Sequence, residues 1–110
     1  SRIRMGKLPK RYLKFMETYP AVGKAYRELG DMVAVAGPLD AKVCQLVKIG
    51  IAVGARQEGG VRSHVRKALE AGATAEEIRH AILQATTTVG FPNMMAGLSW
   101  ADDVLEEREA

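Results

Sequence analysis

A chain of 110 residues, 47% apolar but only 5% aromatic, is long enough for one domain with a modest core rich in Ala, Val, Leu and Ile. No apolar run approaches the ~18 residues of a membrane span, and the basic N-terminus lacks the apolar stretch of a secretory signal. The single cysteine, Cys44, excludes an internal disulfide and a CxxC pair, which fits a reducing, cytoplasmic setting. The net charge of +3 is uneven: Arg2, Arg4, Lys7, Lys10, Arg11 and Lys14 precede the first acid, Glu17, leaving ten basic against thirteen acidic residues beyond. Such an arm can bind nucleic acid or an anionic surface. With only Tyr12 and Phe15 interleaved to stack on bases, a solvated tail is the simpler reading.

In chain order, residues 1–8 read as a mobile arm and Pro9 suits a first helical turn. Leu8, Tyr12, Phe15 and Met16 follow at helical spacing until Pro20. Residues 21–36 read as a second helix with Val22, Tyr26, Leu29 and Val33 on one side, stopped by Gly37-Pro38. The rest is organised around residues 40–90. Asp40 is a natural N-cap for a helix reaching about Arg56. Its wide apolar face is Val43, Leu46, Val47, Gly50, Ile51 and Gly54, extended by Ile49 and Val53; Lys42, Gln45 and Lys48 form a narrow polar stripe. So apolar a helix belongs at the centre of a bundle or an oligomer.

Gln57-Glu58-Gly59-Gly60 breaks the pattern, and a fourth helix is expected over 61–71 with Val61, Val65, Ala68 and Leu69 inward. Gly72 is a stop, and Thr74 with Glu77 spells a capping box. The fifth helix carries Ile78, Ala81, Ile82, Ala85 and Val89. After Gly90-Phe91-Pro92, a sixth carries Met94, Leu98, Ala101 and Leu105, with a fraying acidic tail from Asp102. No stretch alternates as a half-buried strand does, so the fold is expected to be all-α, about six helices in a single domain.

Three pieces of this chain resemble the carboxymuconolactone decarboxylase and alkylhydroperoxidase-D-like superfamily. LDAKVCQLVKIGIAVGA is similar to its long central helix. HVRKALEAGATAEEIRHAIL is similar to its histidine-bearing helix, glycine turn and capped helix. TVGFPNMMAGL is similar to the Gly-Phe-Pro junction of the decarboxylase branch. The resemblance implies an oligomeric helical bundle with sites at or near subunit boundaries. It also exposes departures. Where the peroxidase branch has Cys-x-x-Cys, this chain has Gln57 and Gly60, and the branch's proton-relaying glutamate falls at Gln45. Peroxidase chemistry needs an attacking and a resolving thiol, so Cys44 alone does not support it.

The resemblance makes His64 the leading candidate for a general acid or base, and otherwise it reads as a helix-surface histidine. Glu58 can orient or polarise His64, or simply favour a helix N-terminus. Gln45 and Lys48 can wall a pocket in which Lys48 holds a substrate carboxylate; Arg62 and Arg66 are further anion-binding candidates, or exposed charges. His80 falls opposite its helix's apolar stripe. Two histidines with no shared helix face provide no ligand cluster, so no metal is expected, and the lyase scheme below requires no cofactor. The expected activity is a lyase acting on a small organic acid or lactone, with His64 as proton donor. The alternative is a non-catalytic binding or scaffold protein of the same fold. A nucleic-acid binder and an alkylhydroperoxidase-type antioxidant are weaker readings. The apolar surplus of a short chain predicts a homotrimer or homohexamer.

Overall fold

A computed structural model describes residues 8–109; the basic arm at 1–7 lies outside the described residues. Six α-helices and one short 3-10 helix make up the described chain, with no strand among them. The helices fall into two units, residues 8–39 and residues 40–109.

The first unit is a helical hairpin. α1 (Lys10–Thr18) and α2 (Pro20–Ala34) meet at Tyr19, which caps the end of one and the start of the other. Pro20 occupies the first turn of α2, where its missing N–H costs nothing. Gly23 is the hairpin's one buried residue, and Met16 fills the space a side chain there would need.

The second unit holds the core. α3 (Ala41–Gly54) starts at Asp40, whose carboxylate accepts from the Val43 N–H at 2.9 Å. α4 (Glu58–Glu70) begins three residues earlier than expected, because Glu58, Gly59 and Gly60 join the helix. Gly60 is the small residue that fits there: an added Cβ would sit 3.2 Å from Gln57 Cβ and 3.5 Å from Ala52 Cβ. α5 (Ala75–Leu83) opens on the capping box, with Thr74 and Glu77 each accepting from the other's backbone N–H. The Thr74 N–H and the Lys42 ammonium together hold the Glu77 carboxyl below the ordinary range. α5 ends at Leu83 rather than Val89, and Gln84–Thr87 tightens into the 3-10 helix. α6 (Phe91–Glu109) starts on the Gly-Phe-Pro sequence, with Pro92 in its first turn.

Ile49, Val53, Val61, Val65, Ile78, Ile82 and Leu105 are fully buried and form the centre of the core. The expected inward faces of α4 and α5 hold, except that Val89 is 40% exposed. Two expectations are corrected. On α3, Val43, Val47 and Ile51 of the expected face are 36–64% exposed; Ile49 and Val53, which extend that face, are fully buried, and Ala52 joins them. The helix is apolar almost all round, so its sequence could not say which arc meets the other helices. The acidic tail of α6 does not fray at Asp102. Val104 and Leu105 are core residues, Arg79 holds Asp102 at 3.1 Å, and Arg62 holds Asp103 at 2.9 Å.

Both glycine-bearing approaches to the core are tight, and the tightest is at Gly97 of α6. A Cβ there would lie 2.8 and 3.0 Å from the two Val53 methyls and 3.3 Å from Ile82. Gly97→Ala is therefore expected to lower stability by about 1–3 kcal/mol, although alanine is the better helix former. Urea denaturation checks it; an unchanged or raised midpoint would refute close packing at this crossing.

Candidate functional site

The site lies where α3 runs against α4. Position 64 on α4 falls one turn after Val61, whose side chain is fully buried, so the imidazole starts from a rigid point and is only partly covered. Position 45 on α3 is similarly placed, one turn before the buried Ile49. The two side chains meet: His64 Nδ1 lies 2.9 Å from Gln45 Oε1. An amide oxygen can only accept, so Nδ1 carries the hydrogen and the Nε2 lone pair is left for other work.

Two lysines stand near this pair. Lys48 is one turn along α3 from Gln45, and Lys67 is one turn along α4 from His64. Burial first, and then the positive charges of Lys67 and Lys48, push the His64 imidazole down to about 4. At neutral pH His64 is therefore an uncharged imidazole facing two ammonium groups. That combination can hold an anion and accept a proton at Nε2.

The structure distributes the other candidates differently. Glu58 precedes His64 by six residues, about 9 Å of helix rise. It pairs instead with Arg62 Nη2 at 2.7 Å, the favourable i,i+4 arrangement. Arg62 also donates from Nε and Nη2 to Asp103 at 3.0 and 2.9 Å, so its guanidinium ties α4 to α6. Arg66 is half-buried on the same helix. The structure thus brings together Gln45 and His64, and sets Glu58 and Arg62 in a separate ion-pair cluster. Lys67 was missed in the sequence; its position three residues after His64 was the available signal.

His80 is exposed, as expected from its position opposite the α5 stripe. An open groove of about 580 Å³ runs along α5, lined by Glu76, Glu77, Arg79, His80 and Leu83. It contains none of the candidates above, and Glu77 and Arg79 are already committed to the α5 cap and to Asp102. Among the described residues no three His, Cys, Asp or Glu side chains gather as metal ligands, and no helix is long and apolar enough to cross a membrane.

Comparisons with known proteins agree with this architecture. The Carboxymuconolactone decarboxylase family matches residues 20–103. An uncharacterized 15.0 kDa protein from the nqo9-nqo10 intergenic region of Paracoccus denitrificans is 41% identical over 73 residues, 64% of this chain. The matched stretch spans about half of that relative, 54% of its length. A crystal structure of a presumed carboxymuconolactone decarboxylase from Burkholderia xenovorans LB400 superposes with a TM-score of 0.72 at 21% identity. The alignment covers 96% of this chain and 85% of that one, a likeness of fold.

The depressed His64 value has a consequence for stability. An unfolded chain takes up this proton near 6.5, the folded chain only near 4. Between those values the unfolded state binds more protons, so stability falls as pH falls from about 6.5 to about 4. His64→Gln is expected to remove that part of the decline. Gln45→Glu sets a carboxylate against the ring and is expected to raise the His64 value by roughly one to three pH units. Nuclear magnetic resonance of the imidazole protons checks both shifts; a wild-type His64 titrating above 6 would refute the environment described.

Proposed function

The chain belongs to the carboxymuconolactone decarboxylase family, and we propose that it is a lyase that removes carbon dioxide from a small organic acid or lactone. The observation that carries this reading is the neutral His64, fixed by Gln45 at 2.9 Å beside Lys48 and Lys67. The two ammonium groups attract the substrate's carboxylates and retain it at the ring. As the C–C bond to the leaving carboxylate breaks, its electron pair stays on the substrate carbon and spreads into an adjacent carbonyl. Positive groups close by stabilise that charge.

The proton must then be supplied. Burial, the larger cause of the low His64 value, persists when substrate binds; the substrate's negative charge beside the ring offsets Lys48 and Lys67 and itself favours the imidazolium, so Nε2 takes up a proton from solvent. It passes this proton to the carbanion carbon and returns to its neutral form. Gln45 holds the tautomer throughout but, as an amide, cannot relay the proton. Glu58 acts at a distance, by fixing Arg62 and the start of α4. A chain that only binds the same anions is the second reading, favoured by the amide at position 45, and turnover separates the two.

The test is carbon dioxide release from a panel of carboxylated lactones and unsaturated acids. Wild-type turnover is expected, with none in a folded His64→Ala chain. Lys48→Met and Lys67→Met are each expected to weaken substrate binding about tenfold, the worth of one charge-assisted hydrogen bond. Full activity in folded His64→Ala would remove His64 from the chemistry. Binding of the panel without release by wild type would favour the binding protein.

A further inference from the structure

α1 carries its charge against its own dipole. Lys10 and Arg11 stand in its first turn, Glu17 stands in its last, and no side chain caps its N-terminus. A helix dipole favours the opposite order, acids first and bases last. In a helix of nine residues, too short to be stable by propensity alone, this order weakens the fold and brings it nothing. Each residue advances about 100° around a helix, so Lys10, Lys14 and Arg11 share one face. All three are exposed, and among the described residues none has an acidic partner. Leu13 and Phe15, 45% and 41% exposed, flank that face on its two sides. Tyr12 and Met16 lie opposite and are half-buried.

We propose that this face is a docking surface for an anionic lipid bilayer, on which α1 lies parallel to the membrane plane. Charge complementarity sets the sign of the partner. Lys10, Arg11 and Lys14, with Arg2, Arg4 and Lys7 ahead of them in the sequence, are opposed only by Glu17. Clusters of roughly four to eight basic residues on an amphipathic helix are drawn to anionic headgroups. The flanking side chains set the partner's second property. Leu13 and Phe15 gain nothing from a phosphate backbone, whereas at a bilayer they reach the acyl boundary while the neighbouring cations stay among the headgroups. Nucleic acid calls for base readers and stacking platforms, and α1 is poor in both. The Thr18 hydroxyl is occupied, donating to the Lys14 carbonyl at 2.8 Å, and Tyr12 is half-buried. The Phe15 ring leans on Tyr19, with centroids 5.3 Å apart and 43° between the planes. Among the described residues no helix is long and apolar enough to cross a membrane, so the attachment is peripheral and sensitive to salt. This inference is independent of the lyase reading.

Co-sedimentation of the full chain with vesicles tests it. Binding is expected to vesicles of mixed phosphatidylglycerol and phosphatidylcholine, not to phosphatidylcholine alone, and it should weaken at least about tenfold in high salt. Lys10→Gln/Lys14→Gln should weaken it roughly thirtyfold, the worth of two basic residues at such a surface. The helical circular dichroism should persist, because both lysines are exposed and glutamine forms helix as well. Lys24→Gln/Arg27→Gln makes the same change of net charge on exposed positions of α2 and should alter binding by no more than about threefold. A second measurement needs no loss of binding. In a Cys44→Ser background, an environment-sensitive dye on Leu13→Cys should shift to the blue on the anionic vesicles, and the same dye on Lys24→Cys should not. Equal binding to both kinds of vesicle or to neither, an equal loss in the α2 variant, an unshifted dye at position 13, or tighter binding of single-stranded or duplex DNA than of the vesicles would overturn the proposal.

Discussion

The crossing of α3 over α6 at Val53 and Gly97 is the contact on which the second unit depends. Val53 is fully buried, and only a residue without a side chain lets α6 come so near its methyl groups. With α3 seated there, Ile49 and Ala52 fall into the core and Gln45 falls toward α4. The Gln45–His64 pair is thus placed by packing elsewhere on the same helix. Its geometry inherits the rigidity of a core that tolerates little change in volume.

Around His64 the electrostatics follow from what the neighbours cannot do. A carboxylate at position 45 would share a proton with the ring and favour the cation; the amide accepts a hydrogen bond and adds no charge. Burial and two lysines then act in the same direction. The uncharged imidazole is the outcome of three ordinary effects that happen not to cancel. Elsewhere on α4 the reverse applies, with Arg62 facing both Glu58 and Asp103.

Much of the fold was legible because its boundaries are written in local chemistry. Asp40, Thr74 with Glu77, Gly72 and Pro20 each act on backbone groups within a few residues, and each does so in the structure. Glycine misled at 59 and 60, which join α4 despite a low helix propensity; at 60, though not at 59, the close approach of Gln57 and Ala52 suits a residue without a side chain. The buried arc of α3 was illegible for a different reason: nearly every arc of it is apolar, and tertiary contact made the choice. Arg56 gave no sign of its left-handed backbone (φ 56°). It ends α3 where a glycine would be usual, with its guanidinium over the Trp100 ring and bonded to Asn93. At the site, Gln45 and His64 were reachable through the family resemblance. The pairing of Glu58 with Arg62 follows the i,i+4 rule only because α4 starts at Glu58, three residues before the expected boundary.

The division of charge along α4 also bears on how quickly a small anion finds the ring. Glu58 and Asp103 share the single guanidinium of Arg62, so the helix's first turns carry a surplus of negative charge. Further along, Lys67 and, across from it, Lys48 leave the neighbourhood of His64 positive. An approaching carboxylate is turned away from one end of the helix and drawn to the other before any contact is made. Such guidance reaches only about a Debye length, roughly 8 Å at physiological ionic strength. On the proposed reading, capture of a carboxylate would be a matter of salt as much as of shape, fast in dilute buffer and slower as counter-ions crowd the lysines.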